Sequence, residues 1–143
     1  MDYAQFLTEV RENGCFVSNE EAEATVVSVL MAMAEVLPGP QLEALSSRLP
    51  PEAMVYLRRT GSEPDPLFDR HLFLGWVVSS LDATGIRDKT SGGLDLTATY
   101  SGEEAIRRAG CVFAVLKRQL APDQQREIAE VLPQEVDAWF LNA

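Results

Sequence analysis

The chain lacks any apolar run of the roughly 18–20 residues that a membrane-spanning helix needs. Basic residues are also few, because 12 Lys and Arg stand against 22 Asp and Glu in 143 residues, for a net charge of −10. Nucleic acid and anionic lipid are bound through clustered Lys and Arg, so we expect neither as a partner. Met1 to Gln5 lack the basic and then apolar pattern of a signal sequence. We therefore expect an acidic protein of the cytoplasm.

Cysteine and histidine are scarce as well. Cys15 and Cys111 lie far apart in the sequence and form neither a metal-binding motif nor a disulfide framework. His71 is the single histidine. A nucleophilic thiol needs a base within hydrogen-bond reach, and a metal site needs several convergent ligands. The sequence therefore predicts no catalytic residue, no metal and no cofactor, and it favours a protein that is not an enzyme.

An internal repeat organises the chain. Residues 18–22 recur as 101–105, and residues 49–52 recur as 132–135, both at a shift of 83 positions. Nearer the start, Asp2 and the residues after it match the chain from Asp69 onward at a shift of 67. The difference between shifts of 83 and 67 places a 16-residue insertion in the second copy. Repeats of this kind indicate one structural unit present twice.

The matches predict a single domain over 1–143. Repeat 1 spans 2–57, the connector spans 58–68, and repeat 2 spans 69–141 with an inserted loop at about 82–100. The connector contains the glycine and prolines typical of loops. The end of the inserted loop alternates apolar and polar residues, which predicts an extended segment.

Each repeat has the pattern of four helices, with apolar residues at spacings of three and four. Asp2 is expected to cap the first helix. Ser18 and Glu21 predict a capping box, in which the Ser oxygen accepts a backbone N–H and the Glu side chain reaches back to the Ser backbone. Ser101 and Glu104 predict the same box in the second repeat. Prolines are expected to end the long helices, and Pro51 and Pro133 are expected to open the fourth, short helix of each repeat.

These elements predict an all-α fold, a compact helical bundle of two tandem four-helix repeats in a pseudo-twofold arrangement. The helix that begins repeat 2 is apolar on nearly every face over 72–78, so it is expected to be buried all round between the repeats. Arg107 and Arg108 are expected on the solvated face of a later helix. Aromatic side chains are the candidates for contact with a partner or ligand, since aromatic residues dominate interface hot spots. They are Trp76, Tyr100, Trp139 and Phe140.

The repeated motifs resemble a bacterial all-helical family, domain-of-unknown-function family 2267. The residues that carry the resemblance in repeat 1 are Asp2, Phe6, Leu7, Glu20, Glu21, Ala22, Leu37, Pro38, Leu49, Pro50 and Glu52. Those in repeat 2 are Asp69, Phe73, Leu74, Glu103, Glu104, Ala105, Leu120, Pro122, Leu132, Pro133 and Glu135. The resemblance implies tandem helical units over nearly the whole chain and carries no functional residues. The long insertion after Leu81 departs from the family pattern.

Two functions agree with this sequence. The first is a non-enzymatic helical module for protein–protein interaction, which binds an unidentified protein or a second copy of itself. The alternative is a small-molecule binding protein or minor enzyme with a pocket between the repeats, lined by Trp76 and Tyr100. A deep apolar cavity between the repeats would favour the alternative, and a solid core there would count against it.

Overall fold

In the computed structural model of the chain, the described residues are 2–14, 16, 18–57, 64, 67–83 and 102–143, with the backbone alone at 78–83 and 102–104. These residues contain eight α-helices and no strand, which confirms the predicted all-α class. The helices are α1 (Tyr3–Gly14), α2 (Asn19–Val36), α3 (Gly39–Ser46), α4 (Pro51–Met54), α5 (Arg70–Ala83), α6 (Gly102–Gln119), α7 (Pro122–Val131) and α8 (Val136–Asn142). None of these helices is both long and apolar enough to cross a membrane.

Aspartate caps begin α1 and α5, at positions that correspond in the repeat. Asp2 Oδ1 accepts a hydrogen bond from the Gln5 backbone N–H at 2.7 Å, and Gln5 Oε1 accepts one from the Asp2 backbone N–H at 3.1 Å. Asp69 Oδ1 accepts one from the Leu72 backbone N–H at 3.0 Å. Each cap satisfies a backbone donor that the helix itself cannot pair. The cap predicted at Asp2 is confirmed.

Proline and serine mark three further helix starts. Ser18 Oγ accepts a hydrogen bond from the Glu21 backbone N–H at 3.2 Å and so caps α2, as predicted. Pro51 and Pro122 stand at the first positions of α4 and α7, where a missing N–H costs no hydrogen bond. The prediction that proline opens the last short helix of each repeat is confirmed at Pro51 and is wrong at Pro133, because a turn follows Pro133 and α8 begins only at Val136.

Helix α2 lies at the centre of the bundle, in contact with α1, α5 and α6. Most of its residues are buried, including the hydroxyl residues Thr25 and Ser28. Thr25 donates a hydrogen bond to the Glu21 carbonyl at 3.0 Å, and Ser28 donates one to the Ala24 carbonyl at 2.8 Å. Because these two hydroxyls are satisfied within the helix, their burial leaves neither without a hydrogen-bond partner.

The prediction that the first helix of repeat 2 is buried all round is wrong. Phe73 and Val77 are fully buried, but 44% of the surface of Leu72 is exposed. Gly75 is exposed and Trp76 is half-buried. Helix α5 packs on α2 and α6 along one face, and the opposite face of its first turns remains uncovered by the described residues.

The predicted solvated position of Arg108 is also wrong. Only 5% of Arg108 is exposed, and its Nη2 donates to Oε1 of the buried Glu21 at 2.7 Å. Its guanidinium also lies 5.2 Å from the centre of the Phe16 ring, within the range of a cation–π contact. The predicted capping box has the Glu21 side chain reach back to the Ser18 backbone. In the structure, the Glu21 side chain pairs with Arg108 of α6. Arg107 is exposed, as predicted, and donates to the Gly14 carbonyl at 2.9 Å.

Helices of both predicted repeats share one core. Contacts between the repeats join α1 to α6, α2 to α5 and α6, and α3 to α7. In the part of the core formed by α5, α6 and α8, Phe113 lies between Phe73 and Phe140, with ring centroids 6.0 Å and 5.3 Å away. The two-repeat, pseudo-twofold arrangement itself stays a prediction of the sequence.

Several predicted features fall outside the described residues. They include most of the connector, Cys15, Tyr100, the Ser101 cap and the extended segment of the inserted loop. Helix α5 continues to Ala83, so the first two positions of the loop predicted at about 82–100 belong to a helix.

Candidate functional site

The start of α5 exposes apolar side chains. The exposed fractions of Leu67 and Leu72 are 79% and 44%. Trp76 lies one helical turn after Leu72 on the same face, and its ring packs against Phe68 with the centroids 5.9 Å apart. Because Trp76 is only half-buried, part of the indole adds to the exposed leucines. We call Leu67, Leu72 and Trp76 the α5 face.

A polar cleft of about 320 Å³ borders the α5 face. It is lined by Asp69, Arg70, His71, Gln134 and Glu135, so it lies between the first turn of α5 and the turn before α8. Arg70 forms an ion pair with Glu135 across the cleft. The two side chains are 41% and 49% exposed, so solvent screens the pair and it adds little stability.

A difference between the repeats explains the turn on one side of this cleft. Residues 49–52 of repeat 1 correspond to 132–135, so Pro51 corresponds to Gln134. Pro51 opens α4 directly, whereas α8 begins only at Val136. Glu135 adopts φ 78°, the one positive φ among the described residues other than glycine. This uncommon conformation turns the chain just before α8, at the position where Glu135 contacts Arg70.

Asp69 keeps a negative charge in the cleft. The hydrogen bond from the Leu72 backbone N–H, together with the neighbouring His71, holds the pKa of Asp69 below its ordinary value of 3.8. The cleft thus holds two carboxylates, one guanidinium and one imidazole. Among the described residues, no three His, Cys, Asp or Glu side chains converge as metal ligands. The arrangement offers hydrogen-bond donors and acceptors at an open surface, which suits polar recognition of another molecule.

The sequence-predicted aromatic residues are spread over the molecule. Trp76 is part of the α5 face, and Trp139 is half-buried against the core. Phe140 is fully buried, so it holds α8 on the core and has no exposed surface for a partner. Tyr100 lies outside the described residues.

Sequence reasoning did not single out Leu67, Leu72, Arg70 or Gln134 as surface residues of a site. One signal in the sequence indicated that the turn before α8 differs from the corresponding turn of repeat 1. Pro51 has no proline counterpart at Gln134, so the backbone there is not restricted by a proline ring. The exposure of the leucines had no such signal, because hydrophobic residues in a helix pattern predict burial.

A tyrosine at the start of α1 makes stability dependent on alkaline pH. Burial, followed by the charge of Glu23 and the neighbouring Tyr56, raises the pKa of Tyr3 above its ordinary value of 10.0. The unfolded chain therefore loses the Tyr3 proton before the folded chain does. The stability linked to this group is complete below about pH 10 and is lost as the pH rises above it.

We expect Tyr3→Phe to reduce the alkaline loss of stability. Between about pH 9 and about pH 11, the wild-type protein should lose more free energy of unfolding than the variant, by less than about 1 kcal/mol because solvent partly screens the half-buried hydroxyl. Urea unfolding followed by circular dichroism measures both. Glu23→Gln serves as a second variant, and its loss should stay closer to that of the wild type than to that of Tyr3→Phe, because burial, the largest cause of the shift, remains. Equal losses in Tyr3→Phe and wild type would contradict the assignment.

The fold and the site define an all-helical protein with an exposed apolar helix face beside a polar cleft. A family model described as "Uncharacterized conserved protein (DUF2267)" matches residues 3–139, and the chain belongs to this family. The match confirms the family resemblance found in the sequence. No curated protein matches the chain.

Proposed function

We propose that the protein is a non-enzymatic module for protein–protein interaction, and that the α5 face with the bordering polar cleft is its binding surface. The observation that carries the proposal is the exposure of Leu67 and Leu72 beside a half-buried tryptophan. Burying one leucine side chain contributes about 1.5–3 kcal/mol, so a partner that covers this face gains much of its affinity there.

The composition of the surface supports this proposal. A protein interface combines an apolar centre with a polar rim, and tryptophan is enriched among the residues that dominate the binding energy. Here the apolar centre is the α5 face and the rim is the polar cleft. Met54 and Val55, which belong to repeat 1, are also exposed, at 41% and 49%. Neither of them lines the polar cleft.

A cleft of about 320 Å³ does lie between α1 of repeat 1 and α6 of repeat 2. Its lining residues Glu9, Glu12, Asn13 and Arg118 are all polar and do not include Trp76, so it does not support the pocket that the alternative expects. Where α2 meets α5 and α6, the described side chains include the fully buried Val29, Phe73 and Phe113. Trp76, expected to line such a pocket, instead packs on Phe68 at the surface.

Site-specific photo-crosslinking in cells tests the proposal. A photoreactive phenylalanine derivative replaces Leu72 in one variant and Met54 in a control, since the two residues are 44% and 41% exposed. We expect a protein that crosslinks at position 72 and not at 54, and an adduct of two copies would identify the partner as the chain itself. The purified partner should then bind Leu72→Asp at least about tenfold more weakly than wild type, and should bind Met54→Asp normally.

Two results would overturn the proposal. One is the absence of any adduct at position 72. The other is the same adducts in equal amount from both positions, because non-specific contact does not distinguish two leucine-sized side chains of equal exposure.

A further inference from the structure

The charges beside the α5 face specify the kind of partner, an inference that rests on the proposed function. We propose that the bound partner is a protein segment that places an apolar side chain on Leu72 and a basic side chain in the polar cleft, next to Asp69 and Glu135. The partner is then a basic amphipathic segment.

Electrostatics favour such a partner over a second copy of the chain. The protein carries a net charge of −10, so two copies repel each other at long range, while a basic segment is attracted. Within the cleft, Asp69 and Glu135 are both acidic and Arg70 is the one arginine or lysine in the lining. The carboxylates of the lining therefore outnumber its arginine and lysine side chains by two to one.

Both carboxylates have room for a further hydrogen bond. Arg70 pairs with Oε1 of Glu135, and the Leu72 backbone N–H donates to Oδ1 of Asp69. Each carboxylate has two oxygens and accepts several hydrogen bonds, so a guanidinium or ammonium group can bind at the second oxygen. The Glu135 side chain is 49% exposed, which leaves it accessible from solvent.

The geometry also sets the spacing of the partner's groups. The hydrogen bond from Leu72 to Asp69 keeps the apolar side chain and the carboxylate within one helical turn. A partner that contacts both the Leu72 side chain and the Asp69 carboxylate needs an apolar residue and a basic residue close together on one of its faces. The apolar contact supplies affinity, and the charges supply selectivity and rate of association.

Peptide binding tests the inference directly. Three synthetic amphipathic peptides share one stripe of leucines and carry Lys and Arg, Glu, or Gln at the polar positions, and fluorescence anisotropy measures their binding to the full chain. We expect the basic peptide to bind most tightly and to weaken as salt is added. The double variant Asp69→Asn with Glu135→Gln should weaken it roughly threefold to tenfold, from two partly screened charge pairs.

The repeat supplies a matched control. Asparagine caps a helix as well as aspartate does, so Asp69→Asn keeps the start of α5. The double variant Asp2→Asn with Glu52→Gln makes the same charge changes at the corresponding positions of repeat 1, and it should leave binding unchanged. Leu72→Ser, which removes the apolar contact without adding a charge, should weaken the binding of all three peptides.

The outcomes separate this inference from the proposed function. Equal binding of the three peptides, equal effects of the two double variants, or no binding of the basic peptide would each overturn the inference. A partner crosslinked at position 72 would still support the interaction surface in those cases. Failure of the crosslinking at position 72 overturns the proposed function instead.

Discussion

Replacing Phe113 with alanine is expected to lower the free energy of unfolding by about 3–5 kcal/mol. Phe113 is fully buried on α6, and its ring contacts Phe73 of α5 and Phe140 of α8. Removing the ring costs its transfer free energy and leaves a cavity where three helices meet. Equilibrium unfolding in urea, followed by circular dichroism, measures the change.

Leu141→Ala is the matched control for this prediction. Leu141 follows Phe140 in α8, but 48% of its surface is exposed. Its truncation should change the free energy of unfolding by less than about 0.5 kcal/mol. A loss in Phe113→Ala as small as that of the control would contradict the position of Phe113 in the shared core.

Helix starts were predictable because their causes are local. Asp2 and Ser18 cap their helices through backbone groups three residues away, so the relevant atoms lie within one turn of chain. Pro51 opens α4 through its own ring geometry, whereas Pro133, which was predicted to open the last helix, stands before a turn. Period, caps and prolines therefore predicted an all-helical chain without knowledge of how the helices pack.

Burial was harder to predict because it depends on neighbouring helices. Adjacent residues of a helix point about 100° apart, so Arg107 and Arg108 cannot both face α2. The sequence alone does not show which of the two arginines faces α2. In the structure, the packing of α6 on α1 and α2 buries Arg108. Likewise, α5 has apolar residues on every side, but α2 and α6 cover only the side that carries Phe73 and Val77.

The candidate site combines a predictable residue with unpredictable ones. Trp76 was predicted to line a pocket between the repeats, and the structure instead places it half-buried, one helical turn after the exposed Leu72. Leu72 could not be distinguished from the buried Phe73 by hydrophobicity, since both continue one apolar run. Glu135 reaches the cleft through the positive φ of its own backbone and its contact with Arg70, a residue far from it in sequence. Such long-range pairing is invisible to local patterns.

Breaking the buried ion pair between Glu21 and Arg108 is the other change with a large expected effect. Arg108→Met leaves the Glu21 carboxylate buried between α2 and α6 without the guanidinium that now lies 2.7 Å away. We expect a loss of about 3–5 kcal/mol in free energy of unfolding, because a buried charge that loses its partner keeps its full desolvation cost. The contact of Arg108 with the Phe16 ring is lost as well.

The double variant Glu21→Leu with Arg108→Met distinguishes charge from packing. When both charges are replaced by apolar side chains, no desolvated charge remains, so the double variant should recover most of the stability that Arg108→Met loses. An exposed ion pair, between Arg126 and Asp123, serves as the control, because these side chains are 70% and 81% exposed. Arg126→Ala breaks this pair and should lower the free energy of unfolding by less than about 1 kcal/mol. If the double variant is as unstable as Arg108→Met, the Arg108 side chain stabilises the junction of α1, α2 and α6 by its packing on Phe16, and the ion pair contributes little.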